Sequence, residues 1–316
     1  MSDLPKFVEF HEEGPREGFQ MEKTRYPLEQ RAALVEALAS SGLKQIQVAS
    51  FVNPKAVPTM ADASELFAAI KKLPDVRYTS LWLNEAGFRK AVETPGITLD
   101  GKILVYTTDE FCLRNNNCTV AELRERQKHW LDLYDEAGVA LEQVYIITAF
   151  GCNYQGEVPL NAVTDAVRFV DQLCRDTNRP LPHIYLADTV GWGNPEEVRR
   201  RVGAVRDLVP HARIGTHLHD TRGLGAANVY AALQMGVDLF DSSVAGLGGC
   251  PFAKHGNELG AGNICTEDMV YMCQEMGIET GIDLDALIEA ALLAERIIGR
   301  PLGGKLMHAG RPKRHR

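Results

Sequence analysis

The segment "IGTHLHDTRGLGAANVYAAL" sets His217 and His219 two residues apart, with Asp220 directly behind them. The Ile, Thr and Leu residues around them read as a strand. Strand side chains alternate faces with period two, so His217 and His219 point to one side and Leu218 to the other. Two neutral imidazoles converging on one point make half of a divalent-metal site. A hydrogen-bonded histidine pair at a strand end would give the same spacing. What separates the two readings is whether the rest of the chain supplies further ligands.

A hard divalent ion would take oxygen ligands beside the imidazoles. Glu17, in "EEGPREGFQMEK", and Asn263, in "GAGNICTED", are the candidates. Two His, one carboxylate and one amide oxygen leave positions open for a chelating substrate. This N/O set suits Mg²⁺ or Mn²⁺, and also Co²⁺ or Zn²⁺, without selecting among them. Glu17 taken alone reads more readily as a surface carboxylate at a helix entry. Arg16 is either a structural ion-pair partner or a fixed cation for an oxyanion. Asp188 is either a helix cap, acting through its neighbour Thr189, or a general base. Cys250 lies in the Gly-rich "GLGGCPFAKHGNELGAGN". A free Cys is commonly an inert small hydrophobe, but this stretch, 249–263, reads as a mobile lid.

The elements that must position these residues follow a regular pattern. Short apolar, β-branched runs alternate with amphipathic helical patterns, starting with "KFVEFHE" and "PLEQRAALVEALASSG" and ending with "LFDSSVAGL" and "TEDMVYMCQEMG". Eight strand–helix units in a row imply parallel strands joined by helical crossovers. Eight units within about 280 residues predict a (β/α)₈ TIM barrel as one domain over 1–316. The alternative is a doubly wound open sheet, which would usually carry a Gly-rich fingerprint after its first strand. The first connection, "EEGPREGFQ", has none and is read as a turn. "DLDALIEAALLAERIIG" adds a C-terminal helix, and 300–316 is a tail. In such a barrel the chemistry sits at the carboxyl ends of the strands. Arg16, Glu17, Gln47, Asp188, Thr189, His217, His219 and Cys250 all fall there or in the loops that follow.

The totals exclude several classes. Hydrophobic content of 45% and charged content of 24% are those of an ordinary globular protein, and a net charge of -8 disfavours nucleic-acid binding. The seven cysteines are scattered without a CxxC pair, which disfavours a zinc ribbon. No secretory signal and no membrane-spanning stretch is visible, so a reducing, cytoplasmic setting is expected.

At this point the chain resembles a known family. "FDSSVAGLGGCPFA" with "GNICTEDMVYM" resembles the signature loop of the 3-hydroxy-3-methylglutaryl-CoA lyases. "EEGPREGFQMEK" is similar to that family's first strand end, and "ASFVNPKAVPTMAD" to its second unit. "AFGCNYQGEV", "LADTVGWGNP" and "THLHDTRGLGAANVYAAL" are similar to its fifth, sixth and seventh. The resemblance runs in order along essentially the whole chain. It places the chain among the DRE-TIM metallolyases, enzymes of leucine catabolism among them. It implies an acyl-CoA substrate, a divalent cation, no nucleic-acid or membrane partner, and a homodimer or other homo-oligomer. It implies that Arg16 stabilises the enolate oxygen of the thioester and that Glu17, His217, His219 and Asn263 bind the metal. It gives Asp188 and Cys250 proton-transfer roles, makes Glu267 a loop-end residue that orders the site, and matches Lys55 to a lysine of the second unit. The reaction so implied is a retro-Claisen cleavage of a 3-hydroxy-3-methylglutaryl-CoA-like thioester to acetyl-CoA and acetoacetate.

Departures from the family pattern cluster near this chemistry. Glu17 stands where an aspartate is usual, Gln47 where a glutamate pairs with the arginine, and Arg222 where an aromatic residue follows the histidines. The stretch from Cys250 to Asn263 is longer by about four residues. Gln47, Lys55, Thr189 and Arg222 are expected to contact the substrate. A different ester, such as citramalyl-CoA or a longer branched 3-hydroxyglutaryl-CoA, is the alternative. So is a barrel that binds a CoA ester without turnover. Related barrels that run Claisen condensation, such as isopropylmalate synthase, carry a further C-terminal domain. This chain stops soon after the eighth unit, which favours cleavage.

Overall fold

The computed structural model describes residues 4–255 and 258–313, without the side chains of 250–259. Among them the chain forms two compact units. The first holds Lys6–Leu99, Asp241–Gly249 and the chain from Gly262 on. The second holds Asp100–Phe240 and Cys250–Ala261.

The first unit begins with β1 (Glu9–Glu12), α1 (Gly14–Met21), α2 (Leu28–Ser40), β2 (Gln45–Phe51), α3 (Ala63–Ala69), β3 (Arg77–Trp82) and α4 (Glu85–Glu93). Its strands are parallel, with His11 opposite Gln45 and Gln45 opposite Arg77. Every residue of β2 is buried, as expected of a parallel strand covered on both faces. Phe10, Ile46, Val48, Leu34, Leu38 and Phe67 fill the core around it.

The connection after β1, read as a turn, is not one. Gly14–Met21 is a helix. Pro15 sits in its first turn, where a missing N–H costs nothing, and Glu17 adds an acid at the positive end of the helix dipole. Gly18 is required by packing, because a Cβ there would lie 2.2 Å from the Leu247 side chain.

The second unit continues with β4 (Gly101–Tyr106), α5 (Asp109–Asn116), α6 (Val120–Ala137), β5 (Leu141–Ile147), α7 (Leu160–Asp176), β6 (His183–Asp188), α8 (Pro195–Leu208), β7 (Ile214–Leu218) and α9 (Gly225–Gln234). Thr119 and Glu122 form a reciprocal capping box at the start of α6. Asn194, not Asp188 or Thr189, caps α8. β4 pairs with β5, β5 with β6 and β6 with β7, all parallel. β8 (Leu239–Ser242) starts in the second unit and ends in the first. The strand order is β3-β2-β1-β8 in one unit and β8-β7-β6-β5-β4 in the other.

Where a lid loop is expected, β9 (Cys250–His255) and β10 (Glu258–Gly260) form an antiparallel ribbon, and the Cys250 side chain lies outside the described residues. The first unit closes with α10 (Thr266–Glu275), α11 (Leu284–Ile298) and α12 (Leu306–Ala309). No helix among the described residues is long and apolar enough to cross a membrane.

Candidate functional site

Within the first unit, five polar side chains meet around the start of α1. Arg16 Nη2 lies 2.6 Å from Glu13 Oε2 and 3.5 Å from Glu17 Oε2, and its Nε donates to Gln47 Oε1. Asn263 Nδ2 donates to Glu17 Oε2 at 2.9 Å. That leaves Asn263 Oδ1 buried with no hydrogen-bond partner among the described residues. An orphaned buried amide oxygen is costly unless something accepts its lone pairs, and a hard cation does so. The residues present here therefore fit a divalent metal. Gly248 and Gly262 make room for the longer arm of Glu17. A Cβ at Gly262 would lie 3.1 Å from Glu17 Oε1, and one at Gly248 would lie 3.4 Å from Glu17 Cγ.

Beneath this cluster lie two further acids. Glu12 ends β1 fully buried, its Oε1 accepting from Gly14 N and Val244 N and its Oε2 from Thr266 Oγ1. Burial pushes its pKa up to about 8, against these three hydrogen bonds and helped by the nearby Glu267. Glu267, in the first turn of α10, accepts from Ala245 N at 3.0 Å. Ala245 has φ 56, a left-handed conformation unusual for a residue with a side chain. Glu267 thus pins the strained turn Val244–Gly246 that leads toward Cys250. Burial raises its carboxyl to about 7.

The Glu12 titration has a consequence for stability. A folded pKa above the ordinary 4.5 means that the folded chain holds a proton which the unfolded chain releases. Stability is then full below about pH 4.5 and declines as pH rises through about 8. Gln at this position mimics the protonated acid, with an N–H that can donate to Thr266. Glu12→Gln is expected to make the decline shallower by about 1–3 kcal/mol across that window, read by urea unfolding at several pH values. A variant with the wild-type slope would show that Glu12 does not carry the titration.

Within the second unit, His217 on β7 and His219 just past its end share one face. Their Nε2 atoms are 3.1 Å apart. The rings of His217 and Tyr145 meet edge to face, with centroids 6.0 Å apart. Asp188 ends β6, buried, with Oδ1 accepting from Trp192 N at 2.7 Å and Oδ2 from Gly193 N at 2.9 Å. Burial outweighs these bonds and the nearby Arg222 and His217, lifting its pKa to about 6. Gly193 is needed here, since a Cβ would stand 2.8 Å from Asp188 Oδ2.

The four residues expected to contact the substrate also make contacts within the protein. Arg222 Nη1 donates to Val190 O and Gly191 O, so its guanidinium fastens the loop that carries the two amides on Asp188. Thr189 Oγ1 accepts from Thr148 N and ties the ends of β5 and β6. Gln47 is buried against Arg16. Lys55 is exposed on the turn after β2, where its backbone N–H donates to Asn53 Oδ1. Glu13, the carboxylate nearest Arg16, is not among the residues picked out from the sequence. The signal for it is the three-residue spacing to Arg16 at a helix start.

Comparison with known proteins places the chain in a family. The model of the family described as HMGL-like matches residues 7–293. A 3-hydroxy-3-isohexenylglutaryl-CoA/hydroxy-methylglutaryl-CoA lyase of Pseudomonas aeruginosa is 37% identical over 97% of this chain and 98% of its own. A crystal structure of hydroxymethylglutaryl-CoA lyase from Pseudomonas aeruginosa matches with a TM-score of 0.88 at 37% identity, covering 97% of this chain and 98% of that one. An HMG-CoA lyase from Acinetobacter baumannii, solved in complex with coenzyme A and 3-methylmalate, matches with a TM-score of 0.87 at 34% identity, covering 100% and 99%. The fold is accordingly a (β/α)₈ TIM barrel. With its parallel strand–helix succession, its near-complete overlap with these enzymes and a family match over nine-tenths of its length, the chain belongs to the HMGL-like family, that of the hydroxymethylglutaryl-CoA lyases.

Proposed function

We propose that this protein is a carbon–carbon lyase that cleaves 3-hydroxy-3-methylglutaryl-CoA to acetyl-CoA and acetoacetate with the help of a divalent cation. The observation that carries the reading is the half-buried guanidinium of Arg16, held between Gln47 and Glu13 in the unit that also presents the Glu17 and Asn263 oxygens. A retro-Claisen cleavage needs a fixed positive charge for the enolate oxygen and a Lewis acid for the alkoxide.

The ligands are Glu17, His217, His219 and Asn263, with Mg²⁺ or Mn²⁺ as the metal the oxygen donors favour. A cation held by them would lower the pKa of the substrate's 3-hydroxyl. Asp188, with a pKa lifted to about 6, is the base that removes the hydroxyl proton. The electron pair left on oxygen forms the keto group as the C2–C3 bond breaks, and the pair from that bond becomes the enolate. Arg16 holds the enolate oxygen. Cys250 delivers the proton to C2, closing acetyl-CoA. Glu267 and Arg222 act on loops, as their hydrogen bonds indicate. The working form is a homo-oligomer.

The test is an assay of purified protein, with Mg²⁺ or Mn²⁺, against a panel of 3-hydroxyacyl-CoA esters. Acetyl-CoA and acetoacetate are expected in equal amounts from 3-hydroxy-3-methylglutaryl-CoA. The name of the Pseudomonas relative favours a second substrate, the longer branched 3-hydroxy-3-isohexenylglutaryl-CoA. Turnover of that ester alone would shift the assignment to it. Tight binding of the esters without cleavage of any would overturn the lyase reading in favour of a binding barrel.

A further inference from the structure

We propose that Glu13 is the positioning residue for Arg16, supplying from α1 the carboxylate that the family pattern would place at position 47. The inference rests on the reading of Arg16 as the enolate-binding cation. Position 47 is a neutral Gln, whose Oε1 accepts from Arg16 Nε but brings no charge. The charge comes from Glu13, whose Oε2 is 2.6 Å from Arg16 Nη2, closer than Glu17 at 3.5 Å. The Glu13 side chain is 3% exposed and that of Arg16 12%, so water screens the pair weakly. A carboxylate so buried is strongly unfavourable unless paired, and Arg16 brings a cation to 2.6 Å from it.

The backbone repeats the constraint. Glu13 is the residue that begins α1, its N–H donating to Ser242 O at the end of β8. Its own carbonyl accepts from Arg16 N at 3.1 Å and Glu17 N at 2.8 Å. One residue therefore fixes both the start of the helix and the guanidinium one turn later. This division also leaves Glu17 available as an oxygen donor on Asn263's side, so the two carboxylates do separate work. A longer Glu17 is then not needed to neutralise Arg16.

The experiment exchanges the charge between the two positions. Glu13→Gln is expected to lower kcat/KM by about 10- to 100-fold, through kcat with KM nearly unchanged, because the cation is displaced from the transition state. Combining Glu13→Gln with Gln47→Glu should return kcat/KM to within about fivefold of the parent. A Glu13→Gln enzyme with parental kcat/KM, or a double variant as impaired as the single one, would overturn the proposal. A second measurement does not depend on turnover. In urea unfolding, Glu13→Gln and Arg16→Gln should be non-additive, and the charge exchange should restore the stability lost in Glu13→Gln. Additivity there removes the pairing. If the parent cleaves no ester while non-additivity and restoration are seen, the pairing stands and the lyase reading falls.

Discussion

Arg16→Gln is expected to reduce kcat by about 100- to 1,000-fold while leaving divalent-ion affinity within a few-fold of the parent. The argument is electrostatic. Negative charge reaches the thioester oxygen only as the C2–C3 bond breaks, so a cation placed for it stabilises the transition state more than the bound ester. Losing a single preorganised oxyanion donor elsewhere costs about 100- to 1,000-fold. Gln keeps an N–H but not the charge, and it also takes the cation away from Glu13, which is 3% exposed and ends 2.6 Å from Arg16 Nη2. A fall in stability should therefore accompany the fall in rate, because a buried carboxylate loses a close cation. Arg16→Gln with Glu13→Gln should recover much of the stability and none of the rate. That contrast separates the two roles. Steady-state kinetics and urea unfolding on the two variants measure it. Recovery of rate in the double variant would mean that Arg16 acts only through Glu13.

Much of this architecture was legible before any coordinates. The succession of β-branched runs and amphipathic helices marks all eight strand–helix units, because helix and strand periods are visible over ten or more residues. The pairing of His217 and His219 on one face follows from period two alone. Three features were not legible, each for a physical reason. α1 was hidden because Gly14, Pro15 and Gly18 are turn formers by type. Pro in a first helical turn and Gly against Leu247 are tolerated only in a context that the sequence does not display. The ribbon Cys250–His255 with Glu258–Gly260 was hidden by the glycines on either side of it, Gly248, Gly249 and Gly262 among them. The hydrogen bonds of Arg222 are the third, because residue type does not say which acceptors a guanidinium meets. Here it is a fork of N–H donors on two loop carbonyls. Glu13 shows the same limit from the other side. Two adjacent glutamates at a strand end look alike in sequence. Yet one ends on backbone amides and a threonine, the other on an arginine. The direction of each side chain depends on tertiary contacts that local pattern does not encode.

Removing His219 is expected to abolish metal-dependent turnover, lowering kcat/KM by at least about 1,000-fold and divalent-ion affinity by at least about 100-fold. The Nε2 atoms of His217 and His219 stand 3.1 Å apart. Two nitrogens each ~2.1 Å from an ion and at right angles to each other are ~3.0 Å apart, so the pair is already spaced as adjacent ligands. The same distance also suits a hydrogen bond between the rings. The two states differ in where the protons sit, because a shared hydrogen bond needs a proton on one Nε2 and ligation needs both lone pairs. Binding of the ion should accordingly weaken as pH falls and protons compete for those lone pairs. Loss of a hydrogen-bond partner that merely orients a ligand typically costs 10- to 100-fold in affinity, so loss of the ligand itself should cost no less. Calorimetric titration of parent and His219→Ala with Mn²⁺, with kinetics before and after chelator treatment, measures both quantities. The parent should lose activity to the chelator and regain it with Mn²⁺ or Mg²⁺. The variant should remain inactive at concentrations that saturate the parent. Parental Mn²⁺ affinity in His219→Ala would show that the two rings are a hydrogen-bonded pair, and the metal would have to be sought on other donors.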